Sequence, residues 1–195
     1  MVSTLDLDDL RDEVLGIFAS RHRPEKQFGY YEPPPDTDTG LLYESTDVVL
    51  AMVIMNVDPL SICDNAEQLQ AWADYINSFQ NEAGHFEDTS HSDLHANGMV
   101  ISAFGPLRAR QKHHVSQYDD FNTPEKLVPW LESLDWGNAY GMSHLVWGGP
   151  CYYSFSRECT PEWLDTCIDW LNDNLDPQSG WWRKGVEHDV HFAGL

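Results

Sequence analysis

The sequence is poor in positive charge. Eleven Lys and Arg stand against 32 Asp and Glu, for a formal net charge of -21 at pH 7. Such a field repels nucleic-acid phosphate and anionic lipid surfaces, and it argues against both as partners. Long apolar runs are missing as well: no stretch approaches the roughly 20 residues of a membrane helix, so no membrane span is expected. The start, MVSTLDLDDL, is acidic where a secretory signal would be basic and then apolar, which makes a cytoplasmic location the simplest expectation. Cysteine is scarce. Cys63, Cys151, Cys159 and Cys167 form no CxxC or other zinc spacing, and a chain of 195 residues does not need a disulfide framework, so reduced thiols are expected. Gly-rich phosphate loops, Gly-x-Ser-x-Gly and His-Glu-x-x-His are all absent.

What is present is globular. Hydrophobic residues make up 42% of the chain and aromatics 12%, with eight Trp, enough apolar surface to offset the entropy of ordering one domain. The acidity fits a soluble acidic protein of an ordinary or a high-salt habitat. Alternating patterns are lacking, and helical periodicity fills their place.

The chain repeats itself. Gln80, three residues, Gly84, one residue and Phe86 are matched by Asp176, Gly180 and Trp182, and by Asp36, Gly40 and Leu42; a shortened copy turns on Gly137. The glycines are 44, 53 and 43 residues apart, a period that suits a pair of helices per unit. Before each glycine lies an amphipathic stretch, LDLDDLRDEVLGIFAS, AEQLQAWADYINSF, PEKLVPWLESL and PEWLDTCIDWLNDNL, with N-cap and first-turn signals at Thr123-Pro124 and Thr160-Pro161. After each comes a more apolar stretch rich in small residues, STDVVLAMVIMNV, DLHANGMVISAFG, AYGMSHLVWGGPCYY and HDVHFAGL. Exposed outer helix, glycine turn and buried inner helix is therefore the expected unit. The basic stretch RARQKHHVSQYDDFN reads as a solvated connector, and EPPPDTD as a stiff linker.

Gln-x-x-x-Gly-x-aromatic between an outer and an inner helix resembles the glutamine-tryptophan repeat of the terpenoid cyclase and protein prenyltransferase superfamily. Gln80, Gly84 and Phe86 carry the best match, and Asp176, Gly180 and Trp182 the next. The resemblance implies an all-α fold, an α/α toroid whose inner helices line a central cavity. Four outer/inner pairs over residues 1–195 would make a single domain that is a partial (α/α)6 barrel, incomplete at its C-terminal end, closed by a homodimer partner or a further chain segment. Polysaccharide lyases and unsaturated glucuronyl hydrolases look similar at this level, and fold alone does not choose between them.

Counted from each glycine, the seventh residue of the four inner segments is Asp47, His91, His144 and Glu187, all proton-transfer or metal-ligand types. Four residues further stand His95 and His191, one helical turn away. Such a set can do general acid–base work or hold a divalent metal, Mg or Zn, with His91, His95 and His191 as the candidate ligands. Asp47, His95, His144, His191 and Glu187 are the catalytic candidates. Trp147, Tyr152, Asn97 and Asn138 are candidates for contact with a small-molecule substrate, the aromatics through cation–π attraction or sugar stacking. Asp6, Asp8 and Asp9 match the letters of the superfamily's acidic motif but sit on an outer helix, where they favour the helix dipole. The resemblance implies an enzyme acting on an isoprenoid or similar apolar substrate. The alternatives are a carbohydrate-active hydrolase or lyase with Asp47 and Glu187 as its carboxylate pair, and a non-catalytic repeat scaffold.

Overall fold

The computed structural model describes residues 7–35, 40–87, 92–156 and 158–183. Among these residues the chain is all-helical: α1 (Leu7–Arg21), α2 (Leu41–Ile54), α3 (Ala66–Asn77), α4 (Asp93–Phe104), α5 (Pro124–Ser133), α6 (Ala139–Val146) and α7 (Pro161–Asn174). Every described helix matches an expected outer or inner stretch. Local chemistry sets their starts: the side chains of Asn65, Asn138 and Thr160 accept from the backbone N–H of Gln68, Gly141 and Trp163, and Pro124 and Pro161 open α5 and α7. No helix is long and apolar enough to cross a membrane among the described residues.

The chain divides between His114 and Val115 into two compact units. In the first, the apolar faces of α2 and α4 pack together, and α3 lays Leu69, Trp72, Ala73 and Ile76 against the same core. In the second, α5 packs on α7 through Leu127, Leu131, Trp163 and Trp170, beside an aromatic cluster of Tyr118, Phe121 and Tyr153.

The repeated turns have a common backbone design. Isolated antiparallel bridges join Gln80 to Phe86 and Leu175 to Trp182, and a third joins His22 to Tyr31. In each turn a glycine at positive φ precedes the bridged aromatic by two residues: Gly84 (82°), Gly180 (76°) and Gly29 (87°). Flanking hydrogen bonds correspond as well, with Glu87 N–H to Phe79 O, Arg183 N–H to Asn174 O, and Glu32 N–H to Arg21 O, each 2.9 Å.

Two differences from the sequence pattern follow. The first unit turns at Gly29-Tyr30-Tyr31, whereas Gly40 is the extended N-cap residue of α2 (φ -63°, ψ 145°). In the last turn one extra residue precedes the glycine, so Leu175 occupies the place of Gln80, and Asp176 that of Asn81. Asn81 and Asp176 do equivalent work, their side-chain oxygens accepting from backbone N–H groups inside the turn.

The basic connector is also held more firmly than a solvated loop. Asn77 and Gln80 each use both ends of a side-chain amide: Asn77 on Arg110 O (2.9 Å) and Lys112 N (3.0 Å), Gln80 on His113 O (3.0 Å) and His113 N (2.7 Å). The amide of Gln80 closes its own turn too, donating to Gly84 O at 2.9 Å.

Trp72 ties the first turn to the core. Its indole N–H donates to Ser45 Oγ (2.8 Å), and Ser45 donates to Gly29 O (2.9 Å), all within a buried region. A Cβ on Gly29 would lie 2.2 Å from Trp72 Cδ1, whereas one on Gly180 would meet nothing within 4 Å. Gly29→Ala therefore suffers both overpacking and left-handed strain, about 3 kcal/mol in total, while Gly180→Ala suffers the strain alone, about 1 kcal/mol. Urea denaturation of the two variants checks this; equal losses would remove the Trp72 contact from the account.

His22 stacks on Tyr31 at 4.9 Å and meets Phe28 edge-on at 5.0 Å. Burial in this aromatic surround pushes its pKa below the ordinary 6.5, with Glu25 opposing and Arg23 assisting. The unfolded chain therefore takes up the proton first as pH falls, so this contribution is complete above 6.5 and declines below it. The stability loss between pH 7.5 and 5.5 is expected to be smaller in His22→Gln than in the parent, measured by urea midpoints at each pH.

Candidate functional site

Inner helices α2 and α4 run in a common register counted from their own N-caps, Gly40 and Ser92, which are 52 residues apart. The fifth residue of each ties the helix to the turn of its own unit: Ser45 donates to Gly29 O, and Asn97 accepts from Phe86 N–H at 3.4 Å. Both side chains are buried. Asn97, a candidate for substrate contact by sequence, thus holds the Gly84 turn in place.

The third residue of each helix meets its counterpart. Tyr43 Oη and His95 Nδ1 are 2.5 Å apart, and the rings are stacked at 5.7 Å with planes 10° apart. Tyr43 is buried and His95 half-buried. A phenol and an imidazole at this distance are hydrogen-bonded, with the direction of donation set by the imidazole tautomer. Sequence reasoning selected His95 but missed Tyr43; the signal was the spacing of 52 residues between inner helices, hidden by counting from the turn glycines.

Placed by their own N-caps, the remaining candidates do not share one register. Asp47 is the seventh residue after Gly40 and exposed, and His144 is the sixth after Asn138 and half-buried. Gly40 is not a turn glycine, so the sevenfold offset that grouped Asp47 with His144 does not correspond to one level of the inner helices. His91, Glu187 and His191 lie outside the described residues. Among the described residues, no three His, Cys, Asp or Glu side chains are grouped as a metal site requires. Of the proposed ligands, only His95 belongs to this set.

In the second unit, α6 continues into a π-helical turn, Trp147–Cys151, that contains Gly148, Gly149 and Pro150. Proline has no N–H for the α-helical bond, and two glycines let the backbone widen. The wide turn puts both of its ends, Trp147 and Cys151, on a pocket of about 250 Å³. Trp136, Met142, Val146, Trp181 and Trp182 complete an almost wholly apolar lining.

Fixed partners hold these walls. Trp136 donates its indole N–H to Leu131 O (2.7 Å), and Trp182 donates to Leu171 O (3.0 Å). Tyr152 stands edge-on to Trp147 at 5.0 Å. Arg183, at φ 73°, pairs with Glu132 of α5, whose carboxylate also accepts from Trp170 Nε1 at 2.9 Å. The Trp170 bond and the Arg183 guanidinium hold Glu132 below the usual carboxylate range. Burial raises the pKa of the Cys151 thiol, so the pocket wall carries no ready thiolate. Asn138 caps α6, accepting from Gly141 N–H at 2.9 Å, and His144 lies 4.5 Å from the ring of Tyr140.

Comparison with protein-family models, with curated proteins and with solved structures finds no match to this chain.

The Tyr43–His95 bond yields a direct expectation. Tyr43→Phe keeps the stacked ring and deletes one partly buried hydrogen bond, so it lowers stability by about 1 kcal/mol. His95→Ala made in the Tyr43→Phe background should then lose less than His95→Ala alone. A double-mutant cycle by chemical denaturation reads the coupling, and additive losses would mean that the two groups are independent.

Proposed function

We propose that this chain is a helical-hairpin repeat domain of the α/α-toroid type, similar to terpenoid cyclases, that holds an isoprenoid or similarly apolar molecule and acts on it by proton transfer. The tryptophan pocket carries the reading. Its lining is apolar, its walls are anchored through backbone hydrogen bonds, and its volume of about 250 Å³ falls just under the roughly 300–1,000 Å³ of sites for drug-sized ligands. A single ring or a short branched chain is the size it suits.

Proton transfer has a candidate source in the same unit as the pocket. His144 precedes Trp147 by three residues along α6 and its following turn, which makes the two side chains neighbours on one helical surface. The turns built on Gly29 and Gly84 each lie between two helices and the like turn on Gly180 follows α7, which supports the toroid architecture. A carbohydrate-active toroid is the alternative, because a sugar face also stacks on indole.

The test is titration of the chain with geraniol, followed by tryptophan fluorescence, beside a uronic-acid trisaccharide at equal concentration. Saturable quenching by geraniol, lost in Trp147→Ala with the helical circular dichroism retained, is the expected result. Response to the trisaccharide alone would transfer the function to the carbohydrate reading.

A further inference from the structure

Among the described residues, the lining of the tryptophan pocket contains four indoles, two aliphatic or thioether side chains, a hydroxyl and a thiol, and no basic residue. Arg183 is adjacent in sequence to the pocket wall but does not line it; its guanidinium pairs through Nη2 with Glu132, and Nη1 is buried without a hydrogen-bond partner. The surrounding charge is negative: from Val115 onward the sequence has thirteen Asp and Glu and four Lys and Arg, and Asp135 directly precedes the lining residue Trp136.

These observations constrain the charge of the ligand. A diphosphate or carboxylate would enter an acidic surround without a cationic partner among the described lining residues, at a large cost in desolvation. A neutral hydrocarbon would gain from burial alone. A methylated ammonium would gain from burial of its methyl groups and also from the negative faces of several indoles, the strongest aromatic partners for a cation. Attraction by the acidic surface would raise its local concentration as well.

We propose that the pocket of Trp136, Trp147, Trp181 and Trp182 is an aromatic cage for a small quaternary ammonium group. The proposal rests on the reading of this pocket as the ligand site and adds the sign of the ligand's charge. The geometry suits it: Trp136 and Trp182 spend their indole N–H groups on the backbone of Leu131 and Leu171, so neither needs a hydrogen-bond acceptor from the ligand. A trimethylammonium group offers none. The ion pair of Arg183 with Glu132 has a positioning role, fixing the end of the turn that carries Trp181 and Trp182.

The experiment compares two isosteres by isothermal titration calorimetry on the full chain: choline, and 3,3-dimethyl-1-butanol, in which carbon replaces the charged nitrogen. Choline is expected to bind at least about tenfold more tightly, as desolvated cation–π contacts allow. In Trp147→Leu, checked for its helical circular dichroism, that preference should fall severalfold while binding of the butanol persists; Trp181→Leu serves if the first variant does not fold.

Equal binding of the two isosteres, or tighter binding of the butanol, would overturn the proposal. A choline preference that survives both substitutions would also overturn it, since attraction to the acidic surface would then be its source. Binding of geraniol and the butanol without choline would leave the apolar-substrate reading standing and remove only the charge. Binding of choline without geraniol would do the reverse, and binding of none would end both.

Discussion

The first unit depends on a chain of two hydrogen bonds, from the Trp72 indole to Ser45 and from Ser45 to the carbonyl of Gly29. Three parts of the sequence meet there: an outer helix, an inner helix and a turn. Each group is buried, so each would be costly if left alone, and each can be satisfied only when the other two are in place. Burial of apolar surface supplies the gross driving force, but it is non-directional. The hydrogen-bond chain supplies the register, fixing which turn faces which helix. Asn97 and the Phe86 amide repeat the device one unit later.

The helices were legible because their signals are local. Apolar spacing and Thr-Pro starts mark these helices without reference to anything distant. The turns at Gly84 and Gly180 were legible in position, and the first turn was not. Gly40 and Gly29 are both glycines near a helix end, and only the backbone torsion separates them: Gly29 is at φ 87° and Gly40 at -63°. The extra residue before Gly180 had a similar effect, because aligning on glycine hides an insertion that the hydrogen bonds reveal.

The candidate site was legible only in fragments for the same reason. His95 lies against Tyr43 and Trp147 lines the pocket, yet their partners came from registers that depend on the turns. Tyr43 follows two leucines and reads as core, and it is core; its hydroxyl becomes informative only once His95 is found 2.5 Å away. The four indoles of the pocket are spread from Trp136 to Trp182: the π-helical segment with its Gly-Gly-Pro places Trp147, and the Gly180 turn places Trp181 and Trp182. Asn97 and Asn138, polar and near the ends of inner helices, serve the backbone instead.

The self-contained turns have a kinetic consequence. Each bridged turn closes within a span of ten residues or fewer, His22 to Tyr31, Gln80 to Phe86 and Leu175 to Trp182. Short spans close quickly and at small entropic expense, on the order of tens of nanoseconds for a ten-residue loop. The clamps of Asn77 and Gln80 on residues 110–113 likewise reach back no more than 35 residues. During synthesis, the first unit can therefore complete its hydrogen bonds while the tryptophan-rich remainder is still being made, which limits the time that four large indoles stand exposed beside an unfinished core.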